Sequence, residues 1–455
     1  MNGLAAPARL TLLAAILGSA LVFIDGTAVN VALPPIQRDL GGGLTAQQWI
    51  VDAYLLTLGS LILVGGSLGD LFGAVWIFRI GVASFGLASV LCAVAPNSDL
   101  LIAFRGLQGI AGALLTPASL AIITATFSGP ERGAAIGSWT AFSGIATVLG
   151  PLLGGWLIDI SSWRVIFLIN VPIALATLGV TARMPHRETR RAGVKVDILG
   201  GAMCVAGLGL VVFGFIEQPR HGWDATVAGC LAAGALLLAA FIAWERRTPQ
   251  PMLELRLFRL RNFSVTNVET IAVYGGLYAW SFFLVLYLQQ IAGYSPFRAG
   301  LATVPTTVVM FVFSRFAGRA SMRFGPRWFM GLGPVVAGIS VAMLARLHAH
   351  LDYWTGLLPP LLVFGVGFAA TVAPLTTTVL SEAGPDDAGI ASGINNAVSR
   401  VAGLVAIAVV GIAAASGSGK LTLHGFRISM LLAGGLMCAG GLIGAALIRN
   451  PSTAR

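Results

Sequence analysis

The chain has little charge and no long polar segment. Only 10% of its 455 residues are Asp, Glu, Lys or Arg, whereas a soluble domain carries about 25%. Hydrophobic residues make up 56%, and the mean hydropathy is +0.87. The longest connections between apolar runs have roughly 13 to 18 residues, which is too short for a soluble domain. These shortages exclude a soluble enzyme or binding module and indicate an integral membrane protein.

Cysteine and catalytic clusters are also scarce. The four cysteines lie in apolar runs and form no CxxC pair, so no disulfide framework is predicted. Because no nucleophile–base constellation or metal-ligand cluster stands out, we expect neither an enzyme nor a bound metal. The apolar runs have about 20 residues or more, enough to cross ~30 Å of hydrocarbon as helices. A membrane β-barrel would instead show alternating strands of ~10 residues.

The hydropathy pattern predicts an all-α membrane protein with fourteen transmembrane helices. If the N-terminus is inside, 18 of the 28 Lys and Arg residues lie in cytoplasmic segments and seven in outer loops. This excess predicts that both termini are cytoplasmic. It also accounts for the net charge of +10, so no nucleic-acid partner is expected. The predicted spans are residues 10–33, 47–69, 76–95, 101–125, 134–158, 164–182, 196–216, 225–244, 263–290, 298–318, 328–347, 355–380, 389–414 and 428–448.

A repeated glycine frame divides the chain into two halves. The frame Gly-x4-(Leu/Arg)-Phe-Gly follows both the second and the tenth span. Pairing the two copies matches spans 1–6 with spans 9–14 and leaves spans 7–8 as an insert. Parallel halves around a central site are typical of one class of secondary transporter. The predicted segments are an N-terminal six-helix bundle (1–182), a two-helix insert with cytoplasmic linkers (183–261) and a C-terminal six-helix bundle (262–455).

Three charged residues interrupt the early apolar runs. Asp25 lies roughly 13 Å from the outer end of span 1, while Asp52 and Arg105 lie about five residues from the outer ends of their spans. A charge in hydrocarbon costs several kcal/mol and is by default a functional-site hypothesis. If Arg105 holds one carboxylate in a bidentate pair, desolvation favours the protonated form of the other. That carboxyl group could take a proton from outside and release it inside. Alternatively, Arg105 only pins two helices together.

The later spans carry further polar side chains. Glu269 lies about 10 Å from the cytoplasmic end of span 9, where it could contact a cationic substrate, carry a second proton or reach the interface. Arg400 lies near the middle of span 13 and either lines a central cavity or pins helices. Aromatic side chains of span 9 could bind flat cations by stacking. The predicted substrate-cavity residues are Asn30, Gln108, Asn267, Tyr274, Tyr278, Asn395, Asn396 and Arg400.

Four stretches together resemble the major facilitator superfamily, in particular its fourteen-helix drug:proton antiporter branch. They are residues 25–34, 105–109, 144–155 and 392–396 with Arg400, and the resemblance covers nearly the whole chain. It implies the major facilitator fold and proton-coupled export of lipophilic or cationic drugs or antibiotics by alternating access. The proton would be the coupling ion, with no other cofactor. The alternative in the same fold is a dedicated exporter of one metabolite or self-made antibiotic. We expect a monomer in the inner or plasma membrane, in contact with lipid and a small-molecule substrate.

Two glycine-rich motifs complete the resemblance. The small face of span 5 lets another helix approach closely and could also act as a hinge or seal. The superfamily's basic loop motif after span 2 is depleted here, because Leu71, Ala74, Val75 and Trp76 stand where Arg or Lys is usual. If this loop closes the cytoplasmic side through charge contacts, we expect a latch that is weaker or differently built. The antiporter-motif residues are Gly144, Gly150, Pro151, Gly154 and Gly155, and the cytoplasmic loop gate comprises Gly66, Asp70, Gly73, Gly318, Arg323, Gly325 and Arg327.

Overall fold

The protein is helical throughout the part that the structure describes. This computed structural model describes residues 6–184, 193, 195–415 and 420–450, so the predicted positions of the extreme termini lie outside the described residues. Within those ranges no strand occurs, and fourteen segments are long and apolar enough to cross a membrane. The predicted all-α fold with fourteen spans is therefore confirmed.

Fourteen α-helices follow one another along the described residues. Most extend several residues beyond the predicted spans, because their polar ends continue the helix past the apolar run. The helices are α1 (Ala6–Leu40), α2 (Gly43–Phe72), α3 (Ala74–Val94), α4 (Ser98–Thr126), α5 (Gly129–Ile160), α6 (Val165–Leu168), α7 (Asn170–Ala182), α8 (Ile198–His221), α9 (Ala225–Glu245), α10 (Arg261–Gln290), α11 (Pro296–Phe324), α12 (Pro326–Met343), α13 (Leu358–Ala414) and α14 (Leu423–Leu447).

At two places the helices do not correspond one to one with the predicted spans. The sixth span consists of α6 and α7, which are separated at Ile169. The predicted spans 12 and 13 correspond to two separate spans, Tyr353–Gly384 and Asp387–Ala414, and α13 includes most of the first and all of the second, across a kink at Gly384. Gly384 has φ 77° and ψ 170°, a conformation that a glycine adopts without steric cost. The chain therefore turns between two membrane spans through a single residue.

The helices belong to two compact units. Among the described residues, unit 1 falls within Met1–Gly209, Ala233–Met252 and Ser295–Phe297, and unit 2 within Leu210–Ala232, Leu253–Tyr294 and Arg298–Arg455. In unit 1, α2 and α3 pack along α4, and α1 packs along α5. In unit 2, α10 packs along α13 and α14, and α12 packs along the same two helices.

Glycines bring neighbouring helices close enough to bury polar side chains between them. A Cβ atom placed on Gly109 of α4 would overlap the Thr57 hydroxyl and the Tyr54 carbonyl of α2. In unit 2, a Cβ atom on Gly276 would lie 2.6 Å from the Ala433 carbonyl oxygen. Small residues commonly permit such close approach in membrane proteins. This packing fixes the depth and orientation of the charged side chains on α1, α2, α4 and α10.

Candidate functional site

The centre of unit 1 is an ion pair between α1 and α4. The Arg105 Nη1 atom donates to Asp25 Oδ2 at 2.5 Å, and each residue is only 1% exposed. The other carboxylate oxygen of Asp25 accepts from Gln108 at 2.9 Å and from Asn170 at 3.0 Å. Both oxygens of the buried carboxylate are therefore occupied by donors, as a stable buried charge requires.

The guanidinium group of Arg105 is held on several sides. Its Nε atom donates to the Ile50 carbonyl at 3.1 Å, and Nη1 also donates to Gln108 Oε1 at 2.6 Å. The Tyr54 ring lies 4.2 Å from the guanidinium carbon, within the range of a cation–π contact. Such multiple bonding holds the arginine and the carboxylate in one geometry.

Two members of this centre were missed by the sequence analysis. The Ser89 hydroxyl accepts from Gln108 at 2.9 Å and from Asn170 at 3.2 Å. Asn170 is the first residue of α7, immediately after the division of the sixth span. Each is a polar residue in an apolar run, and such a residue alone does not indicate a site. Its role is evident only from the packing of α3 and α7 beside α1.

Asp52 is buried in α2 without a partner. It is 0% exposed, and among the described residues neither carboxyl oxygen has a hydrogen bond. The face of α2 towards α4 carries Tyr54 and Thr57, and Asp52 is about 200° around the helix from Tyr54. The three charged residues that were expected to interact therefore form only one ion pair, between Arg105 and Asp25. Asp52 faces another direction because of its position on the helix.

Glu269 is the corresponding isolated acid of unit 2. It is 0% exposed, and neither carboxyl oxygen has a hydrogen bond among the described residues. A Cβ atom placed on Gly444 of α14 would lie 2.7 Å from its Oε2 atom and 2.8 Å from the Met330 carbonyl oxygen of α12. The carboxyl group thus lies where α10, α12 and α14 meet.

The predicted amides of unit 2 form a separate cluster between α10 and α13. Asn395 donates to Asn267 Oδ1 at 3.2 Å and to the Thr270 hydroxyl at 2.8 Å; Thr270 was not predicted. The Tyr274 ring contacts Phe368 edge-on at 6.0 Å, and the Tyr278 ring packs on Gly403.

The remaining predicted cavity residues have contrasting surroundings. Arg400 is 7% exposed, its Nε atom has no partner, and it forms no ion pair in the part of the chain described. Asn396, one turn earlier, is exposed, and Asn30 of α1 is half-buried. Unit 2 therefore holds a buried cation and a buried acid that do not meet.

The glycine motif of α5 packs closely only in its C-terminal half. A Cβ atom on Gly150 would lie 2.8 Å from the Ile24 carbonyl oxygen, and one on Gly154 would lie 3.0 Å from Ala28 Cβ. Gly155 is similarly close to Pro296 of the same unit, and Pro151 lies inside the helix. Gly144 is exposed with no neighbour within 4 Å. The small face predicted along the whole helix therefore contacts α1 over only part of its length.

The two glycine frames occupy equivalent turns. Gly73 between α2 and α3 and Gly325 between α11 and α12 both have positive φ, 99° and 83°. Gly66 borders Pro117, and Gly318 borders Ala373, in the same relation to the fourth helix of each six. Among the described residues, no ion pair involves the charged members of the frames, Asp70, Arg323 and Arg327.

Similarity to known proteins agrees with this architecture. The sequence model of the Major Facilitator Superfamily matches residues 15–407 and 270–455. A puromycin resistance protein of Streptomyces alboniger is 35% identical, over 95% of this chain and 90% of its own length. The multidrug resistance protein Stp of Mycobacterium tuberculosis is 32% identical, over 88% of this chain and 75% of its own.

A solved structure agrees at the level of the fold. A D-xylose–proton symporter has a TM-score of 0.69 at 17% identity, covering 97% of this chain and 98% of the symporter. The chain therefore belongs to the Major Facilitator Superfamily. It is a multi-pass membrane transporter and not an enzyme, as the apolar runs and the resemblance predicted.

Proposed function

We propose that this transporter exports drugs or antibiotics in exchange for protons, by alternating access. The names of the puromycin resistance protein and of Stp support export of such compounds. The observation that carries the proton coupling is the contrast in unit 1 between Asp25, which has donors on both oxygens, and Asp52, which has none. We assign proton binding to Asp52 and a fixed, ionised role to Asp25 and Arg105.

The coupling follows from the cost of burying a charge. An unpartnered carboxylate is unfavourable in a dry interior, so the closed surroundings of Asp52 suit its protonated form. Exposure to water allows the proton to leave. A proton and a substrate are exchanged only if each binds one of the two conformations better than the other. One charge crossing 100 mV supplies about 2.3 kcal/mol, which is enough to drive such a shift.

The polar interior of unit 2 supports a substrate site. Asn267 and Asn395 present amides, Tyr274 and Tyr278 present aromatic rings, and Arg400 presents a guanidinium group whose Nε atom has no partner among the described residues. Aromatic rings suit flat lipophilic cations, which favours a broad drug exporter. The unpaired Arg400 favours a second candidate, a dedicated exporter of one compound that offers an acceptor group to it.

The remaining assignments complete this proposal. We place the transporter in the inner or plasma membrane with both termini in the cytoplasm, on the distribution of Lys and Arg. We expect a monomer to suffice, because one chain carries both units. The glycines of α5 would seal the outer half against leak, and the two glycine frames would act as a cytoplasmic gate.

Transport by proteoliposomes tests the proposal. With an imposed pH gradient, we expect wild-type protein to move ethidium or puromycin and to carry protons in the opposite direction. Asp52→Asn should abolish substrate-dependent proton flux while the folded yield persists. Movement of puromycin without ethidium would favour the dedicated exporter. Proton flux that is unchanged in Asp52→Asn, or substrate movement that is indifferent to the gradient, would contradict the proposal.

A further inference from the structure

The carboxyl group of Glu269 is closely packed where α10, α12 and α14 meet. We propose that Glu269 is a second proton-binding site, separate from Asp52, which exchanges its proton with the cytoplasmic side. The proposal deepens the proposed proton-coupled export and rests on it for its role in transport, but the site itself is argued from unit 2 alone.

Space for this carboxyl group is provided by glycine. Because any side chain at Gly444 would begin 2.7 Å from Glu269 Oε2, glycine is the residue that leaves the carboxyl group room. One turn earlier, Gly440 lets α14 approach the backbone of Glu269, whose carbonyl oxygen would lie 3.4 Å from an added Cβ atom. The acid is thus closely fitted between helices, although no donor among the described residues satisfies it.

A backbone carbonyl group of α12, which can only accept a hydrogen bond, borders the same glycine as the Glu269 carboxyl group. The Met330 carbonyl oxygen faces the same point as Glu269 Oε2, 2.8 Å from an added Cβ atom of Gly444. In a regular helix this carbonyl would bond the amide four residues later, but that residue is Pro334, which has no amide hydrogen. A protonated carboxyl group can donate to this carbonyl group, which lacks its usual helical donor, whereas a carboxylate would be repelled by it.

A route towards the cytoplasm begins at Thr266. This residue lies three positions before Glu269, on the same side of α10 and nearer its inner end. It is 0% exposed, and its hydroxyl oxygen has no partner among the described residues. A hydroxyl group both donates and accepts, so Thr266 can relay a proton between Glu269 and the inner surface.

The charges around Glu269 are already engaged elsewhere. On α12, Arg327 donates to the Ala445 carbonyl at 2.7 Å, and on α10, Arg261 donates to the Leu447 carbonyl at 3.0 Å. On α13, Glu382 accepts from Asn262 at 2.7 Å. The titratable group of α14 in this region, Cys438, faces the Val335 carbonyl at 3.6 Å. None of them pairs with the buried acid, so protonation is the means left to neutralise it.

Labelling with N,N′-dicyclohexylcarbodiimide tests the site without a known substrate, since this apolar reagent attacks protonated carboxyl groups in apolar surroundings. With wild-type protein in lipid at neutral pH, we expect mass spectrometry to find the adduct on Glu269, decreasing as the pH rises. Glu382, at the same end of unit 2 but hydrogen-bonded to Asn262, is the internal control and should stay unlabelled. If Asp52 is labelled and Glu269 is not, the inference about Glu269 is wrong, while the proposed proton binding at Asp52 stands. If neither residue is labelled, the proposed proton binding at Asp52 loses its support as well.

Proton uptake provides a second measurement, which distinguishes a carboxyl group that exchanges its proton with water from one that is only buried. Between alkaline and acidic pH, Glu269→Gln should take up about one proton fewer than wild-type protein. Thr266→Val should keep the number of protons but slow their exchange. If Glu269→Gln fails to fold, Pro334→Ala, which gives Met330 an amide partner, should lower carbodiimide labelling of Glu269. Unchanged proton uptake in a folded Glu269→Gln variant, or unchanged labelling in Pro334→Ala, would contradict the proposal.

Discussion

The ion pair of unit 1 contrasts with the buried charges of unit 2. In unit 1, Asp25 and Arg105 neutralise each other, and amides from α4 and α7 complete the carboxylate's hydrogen bonds. In unit 2, Glu269 and Arg400 are also buried, but among the described residues neither of them forms an ion pair. A satisfied pair is rigid and structural, whereas an unsatisfied acid or base is available for protons or substrate. The difference teaches that charge in a membrane helix is not in itself a sign of coupling.

The largest expected effect comes from removing one partner of the satisfied pair. Arg105→Leu leaves Asp25 buried without its cation, and such a change typically costs about 3–5 kcal/mol. We expect a large fall in folded yield and in the melting temperature in detergent. Arg400→Leu, the matched change in unit 2, should lower the melting temperature little, because no partner is left behind.

The double variant sharpens this comparison. Asp25→Asn combined with Arg105→Leu removes the orphaned charge, so it should recover much of the stability that Arg105→Leu loses. Equal losses in Arg105→Leu and Arg400→Leu, or no recovery in the double variant, would mean that the ion pair of unit 1 is not the stabilising feature that its bonding indicates.

An intermediate effect is expected where Glu269 is packed. Gly444→Ala places a methyl group 2.7 Å from the Glu269 carboxyl oxygen, and overpacking of this kind costs about 1–3 kcal/mol. Glu269→Ala in the same protein should relieve the part of that loss that is due to the carboxyl group, while the Met330 carbonyl oxygen stays 2.8 Å from the added methyl group. Gly435→Ala, where an added Cβ atom has no neighbour within 4 Å, is the control and should leave the melting temperature unchanged. A loss that Glu269→Ala does not relieve would place the carboxyl group elsewhere.

The smallest effect is expected for an ion pair outside the membrane. Arg256 donates to Asp387 at 2.7 Å and to Glu254 at 3.2 Å, and these hydrogen bonds, the one to Asp387 first and the one to Glu254 second, raise the pKa of Arg256. A raised pKa stabilises the folded protein fully at any pH below the pKa of the unfolded state, and this stabilisation is lost only when the pH exceeds the pKa of the folded state. Because the pKa of arginine is far above neutral pH in both states, the contribution of Arg256 to stability is constant from pH 5 to 9. Because the pair is exposed, Arg256→Gln should not measurably change the melting temperature. A clear pH-dependent loss in that range would contradict this view.

The sequence predicted the fold better than the partners of each charge. Long apolar runs and the glycine frames were sufficient for fourteen spans, because hydrophobic length decides what crosses a membrane. The two spans on either side of Gly384 were predicted, and only the shortness of the turn between them was not, since one residue with positive φ can replace a longer loop. Which acid pairs with Arg105 depends on the face of α2 that meets α4, and Asp52 is on another face. Asn170, Ser89 and the Met330 carbonyl gained meaning only from tertiary packing.

Infrared spectroscopy of the protein in lipid tests the central claim most directly, because a protonated carboxyl group has a carbonyl stretching band that a carboxylate lacks. At neutral pH, we expect Asp52→Asn and Glu269→Gln each to remove part of this band. Asp25→Asn should remove none, since Arg105 holds that group ionised. Loss of the band in Asp25→Asn, or its absence from wild-type protein, would contradict the division between one fixed ion pair and two proton-binding acids.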